Sequence, residues 1–67
     1  MPHLNRIILK SGQTLEFEDQ YGNVRQKYYQ YLQNPSANSS FCNLSGQAGQ
    51  ELALDLREVV AVLTRPK

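Results

Sequence analysis

Only one cysteine, Cys42, and one histidine, His3, occur in the 67 residues. A lone cysteine excludes a disulfide within the chain, and one histidine with one cysteine cannot fill a four-ligand structural zinc shell. Small domains draw extra stability from disulfides, metals or self-association, so self-association is the aid that remains. Excess charge is also missing. Seven Lys and Arg stand against six Asp and Glu, a formal charge of +1, far from the basic surplus of a surface that tracks phosphates. Long apolar runs are absent too. The opening MPHLNRIILKSG lacks the apolar stretch of a secretion signal, and no run approaches the ~20 residues that cross a bilayer. A cytoplasmic protein with no membrane partner is expected. The length leaves room for one domain, residues 1–67, and such a domain hides only about 60% of its unfolded surface.

Catalytic chemistry has little to work with. Cys42 would need a base beside it, and the sole histidine stands at the third position, in what reads as a loose terminus. A buried strand cysteine is the simpler reading. Glu16 and Glu18 share a strand face, where they solubilise the sheet and pair with Lys10 across a hairpin. Gly46-Gln47-Ala48-Gly49 is not followed by the Lys-Ser/Thr of a phosphate-binding loop. The sequence therefore implies no catalytic residue, no metal site and no cofactor, and the chain is not expected to be an enzyme. The triplets Asn38-Ser39-Ser40 and Asn43-Leu44-Ser45 read as polar loop and strand-edge residues.

What is present is alternation. RIILK, Ser11-Gly12 and QTLEFE predict a hairpin, with glycine supplying the positive φ of a tight turn. Leu15 and Phe17 point to one side, Thr14, Glu16 and Glu18 to the other. Ile7 and Leu9 face the core, which leaves Ile8 on the opposite side between Arg6 and Lys10. Asp19 or Asn23 can cap a helix, and Asn23 with Gln26 has the outline of a capping box. The helix is predicted over about 22–33, ending before Pro35. PSANSS is a polar loop. SFCNLSG is a short strand, ELALDL alternates with Leu52, Leu54 and Leu56 inward, and a tight turn at Arg57-Glu58 leads into VVAVLT. That last run is apolar on both sides from Val59 to Leu63, the pattern of a strand covered on two faces.

The order is ββαβββ, an α+β fold with one helix on a mostly antiparallel sheet. An all-β alternative, an SH3-like small barrel, would make VRQKYYQYL a strand, but Tyr28, Tyr29, Tyr31 and Leu32 cannot share one face at period two. As a helix, Val24, Tyr28, Tyr31, Tyr21 and Leu32 fall in one arc roughly 100° wide, which is the core face. Tyr29 lies outside that arc with Arg25 one turn before it and Gln33 one turn after.

The closing stretch ELALDLREVVAVLTRPK, two strands joined by a sharp corner, resembles the end of Sm-like RNA-binding barrels over about a quarter of the chain. That family carries its helix ahead of the first strand, whereas here the helix follows the second, so no site residue is carried over from it. Two functional classes follow from the residues. The first is a non-catalytic, self-associating interaction protein that binds another protein. Its homo-oligomer interface is assigned to Ile8, Val60 and Val62, the apolar residues predicted on the sheet face away from the helix, and its partner-binding surface to Arg25, Tyr29 and Gln33. The second, less favoured because of the near-neutral charge, is a single-strand nucleic-acid binder using Arg25, Lys27 and Tyr29, with Arg57, Arg65 and Lys67 on phosphates.

Overall fold

A computed structural model of the chain describes residues 2–67. It contains five strands and one helix in the predicted order: β1 (His3–Leu9), β2 (Thr14–Asp19), α1 (Asn23–Gln33), β3 (Phe41–Ser45), β4 (Glu51–Asp55) and β5 (Val59–Pro66). All pairings are antiparallel. The strands form two open sheets, one ordered β2-β1-β5 and the other β3-β4. The all-β alternative does not hold, because residues 23–33 are helical.

The β1–β2 hairpin closes where expected. The Leu9 amide donates to Gln13 O at 2.9 Å and Gly12 turns through a φ of 92°. His3 belongs to β1 rather than to a loose terminus, and its Nδ1 bonds Gln20 O at 3.1 Å. The corner before β5 is a one-turn 3-10 helix, Leu56–Glu58, started by Asp55, whose carboxylate accepts from the Arg57 amide.

Helix α1 begins differently from the capping-box expectation. Its first residues are held by Asp19, not by an Asn23–Gln26 pair. Asp19 Oδ1 accepts the Gly22 amide and Oδ2 the Asn23 amide, each at 2.7 Å. Asp19 also accepts from Asn5 Nδ2 at 3.1 Å. Asn5 spends its other amide proton on Phe17 O at 2.9 Å and its oxygen on the Thr64 hydroxyl at 2.8 Å. Both Asn5 and Asp19 are buried, so this network joins all three strands of the larger sheet to the helix start with every polar atom matched.

The core takes side chains from every element: Ile7, Phe17, Val24, Cys42, Leu54, Leu56 and Val59. Tyr28 and Tyr31 pack against it from the helix, as predicted. Tyr28 also donates its single hydroxyl proton toward Val59 O at 2.9 Å and Val60 O at 3.2 Å. Gly46 explains how the two sheets meet. A Cβ there would lie 2.3 Å from Glu18 O and 2.7 Å from the Phe17 ring, so only glycine lets the end of β3 pass this close to β2.

Tyr21 and Leu32 depart from the predicted core arc: Tyr21 is 74% exposed and Leu32 57%. Tyr21 precedes the helix, and Gly22, at a φ of 69°, breaks the phase that an extended helical wheel assumes. Leu32 lies on the edge of the arc, where it lines an open cleft with Lys10, Tyr31 and Arg57 instead of reaching the core.

Candidate functional site

The position of β5 against β1 decides which side chains the larger sheet turns outward. Ile8 pairs with Ala61, but Leu9 pairs with Val59, so Val60 is an extra residue at a β-bulge. One extra residue reverses the alternation that the sequence alone implies. Val59 and Val62 both face inward, Val62 opposite Ile7 and packed on the core. Val62 therefore cannot line the outer face, and its assignment to an oligomer interface is corrected here. Ile8 keeps its outward position, and Val60 is exposed at the bulge itself.

Across the outer face the register gives three rows: Thr14, Ile8 and Ala61; Glu16, Arg6 and Leu63; Glu18, Leu4 and Arg65. Leu63 is 54% exposed and Leu4, Ile8 and Ala61 are partly so. A shallow groove of about 380 Å³ runs among Leu4, Arg6, Leu63, Thr64 and Arg65. The helix and the smaller sheet both contribute to the core on the inner face. Among the described residues nothing packs over the outer one. The two glutamates do not pair with Lys10, as the hairpin suggested. Arg6 lies 3.6 Å from Glu16, and Lys67 pairs with Glu18, because the strand register sets Arg6 directly across from Glu16. Arg65 has no ion pair among the described residues.

On the helix, Arg25, Tyr29 and Gln33 are all exposed and share one side, as predicted. Tyr29 is 57% exposed, and its hydroxyl accepts from Gln33 Nε2 at 3.2 Å, which ties the ring forward to Gln33. Lys27 is exposed too, but two residues from Arg25 and from Tyr29 it turns to the other side of the helix, toward Cys42, so Arg25, Lys27 and Tyr29 do not form the single nucleic-acid surface expected from the sequence. Arg57 and Lys67, invoked for phosphates, are already engaged: Arg57 grips Asp55 through Nε and Nη2, and Lys67 bonds Glu18. Hydrogen bonds from the Arg57 side chain and amide hold the Asp55 carboxyl below its ordinary value.

Cys42 is fully buried in β3. Burial pushes its thiol above the ordinary value, an effect that the nearby Lys27 charge offsets in part. Such a thiol is a core atom rather than a nucleophile. Among the described residues no three His, Cys, Asp or Glu side chains gather in a way that could hold a metal ion.

Sequence reasoning missed Asn5, Thr64 and the extent of Asp19's role. A signal existed, since Asn5 stands two residues before Ile7 and Thr64 two after Val62, at the core phase of their strands. A polar residue at a core position needs partners, and here they are each other. Leu63 was hidden by the bulge, whereas Leu4 shares the outward phase of Arg6 and Ile8 in β1 and could have been read from it.

No family model, no curated protein and no solved structure matches this chain. The partial likeness to Sm-like barrels thus gains no family assignment.

Proposed function

We propose that the protein is a non-catalytic interaction module that self-associates through the outer face of its β2-β1-β5 sheet and binds a second protein through the helix surface of Arg25, Tyr29 and Gln33. The observation that carries the first half is the uncovered face on which Leu4, Ile8, Ala61 and Leu63 are interspersed with Arg6, Glu16, Glu18 and Arg65. Apolar side chains on a sheet face call for cover, and a second copy is favoured by charge. A two-fold axis along the strands lays β5 of one copy over β2 of the other. Arg65 then stands opposite Glu18, Leu4 and Ile8 stack on their own equivalents, and Arg6, which meets its own equivalent, keeps its charge balanced by Glu16 of the same copy.

Area sets the expected strength. Three strands about seven residues long span roughly 14 by 23 Å, well below the ~800 Å² per partner of a standard stable interface. The association is therefore weak and concentration-dependent. The helix surface is supported by composition, an exposed tyrosine with an arginine and a glutamine amide in a polar surround.

Sedimentation equilibrium from the low micromolar range to several hundred micromolar tests the reading. The apparent mass should climb from monomer toward dimer, and Leu63→Asp, which sets an unpaired charge in the contact, should hold it at the monomer while leaving the circular dichroism spectrum unchanged. A wild type that stays monomeric throughout overturns it.

A further inference from the structure

A second surface lies at the end of the sheet, on the inner side of β5. His3 and Thr64, with Pro66, form one wall of a cleft of about 340 Å³. Tyr21, Gly22, Arg25 and Gln26 form the other. No Asp or Glu is among its lining residues. The nearest acid, Asp19, is 2% exposed and spends both oxygens on Asn5, Gly22 and Asn23. The remaining acids lie elsewhere: Glu16 and Glu18 on the outer face of β2, Glu51, Asp55 and Glu58 around β4 and the turn after it.

A near-neutral total therefore hides a local arrangement. Arg25 and Arg65, without ion pairs among the described residues, flank this end of β5 from its two sides. His3 donates Nδ1–H to the Gln20 carbonyl, which fixes its tautomer and leaves Nε2 for a ligand. Tyr21 is the most exposed of the large hydrophobic side chains. It takes no part in the core cluster, so packing gives no reason for a ring at this position.

An open aromatic face beside a guanidinium, with the Gln26 amide to meet a base edge and Thr64 Oγ1, whose proton goes to Asn5, able only to accept, is the chemistry that holds an unpaired base and its phosphate. We infer that the cleft between Tyr21, Arg25, His3 and Thr64 binds single-stranded nucleic acid, with a base stacked on Tyr21 and a backbone phosphate on Arg25. The site shares Arg25 with the helix surface proposed above, but neither Tyr29 nor Gln33, and it shares Thr64 with the groove on the outer face of the sheet. Binding and self-association are thus separable.

Fluorescence anisotropy with a labelled mixed-sequence oligonucleotide of about a dozen nucleotides, as DNA and as RNA, tests the inference. Binding should be measurable at about 20 mM salt and should weaken steeply toward about 200 mM. Tyr21→Ala and Arg25→Ala should each lower affinity on the order of tenfold, and Arg25→Ala should reduce the salt slope by about one. Tyr21→Leu keeps the bulk but not the stacking face, and should bind as poorly as Tyr21→Ala. Leu63→Asp and Tyr29→Ala should bind like wild type, which separates this site from both surfaces proposed above. No binding at low salt overturns the inference. So does equal displacement of the oligonucleotide by polyglutamate of matched charge, which would mark the cleft as a surface for acidic peptides.

Discussion

Asp19→Ala should be among the most damaging single substitutions in this protein, although it removes only a short side chain. The carboxylate accepts three hydrogen bonds, two from the first amides of the helix and one from the buried Asn5. Loss of a helix-capping oxygen costs about 1–2 kcal/mol. A buried amide proton left on Asn5 without an acceptor adds about 1–3 kcal/mol. Together these come to roughly 2–5 kcal/mol, against a total of about 3–10 kcal/mol for a chain of this length. Asp19→Asn keeps one acceptor oxygen and should cost roughly half as much. Urea unfolding followed by circular dichroism and by tyrosine fluorescence measures both. The midpoint should fall sharply for Asp19→Ala with the slope unchanged. A loss below about 1 kcal/mol would refute the reasoning, since it would mean that the three donors find water or other partners at no cost.

Tyr28→Ala removes a ring packed on the core and the hydroxyl that holds Val59 and Val60, and should destabilise by about 3 kcal/mol; Tyr29→Ala, on the open side, should cost less than about 1 kcal/mol in the same urea assay. Gly46→Ala should cost about 3 kcal/mol or prevent folding, because the methyl group meets the Glu18 carbonyl and the Phe17 ring. Cys42 should react slowly with thiol reagents in the folded protein and quickly in urea. Burial raises its folded pKa above that of an unfolded thiol, so its contribution to stability is intact below the unfolded value and is lost as pH rises through the folded one. Wild type should therefore lose stability relative to Cys42→Ala in alkaline urea melts, and rapid labelling of the native thiol near neutral pH would contradict the assignment.

The element order was legible because alternation at period two and the arc of Val24, Tyr28 and Tyr31 at helical period are both local signals. Facing was legible until the phase changed. A β-bulge leaves no mark in VVAVL, since every residue of the run is apolar, and the shift becomes visible only through the pairing of Leu9 with Val59. The helix start misled for a related reason. Asn23 and Gln26 have the right spacing for a capping box, but Asp19, four residues before Asn23, reaches its amide first because the chain turns at Gly22. Tyr21 looked like a core residue only while the helix was extended back through that turn. The surfaces themselves were hardest to read, because Tyr21, His3 and Thr64 are 18 or more residues apart in sequence and meet only through the pairing of β1 with both β2 and β5.

The central claim, that two copies meet through the outer face of the β2-β1-β5 sheet, is tested most directly by a dilution series of ¹H–¹⁵N correlation spectra on uniformly labelled protein. Concentration-dependent shifts should gather at Leu4, Arg6, Ile8, Ala61, Leu63 and Arg65, with the amides of α1 and of the β3–β4 hairpin unmoved. Spectra that do not change with concentration, or changes centred on the helix or on β3 and β4, would contradict it.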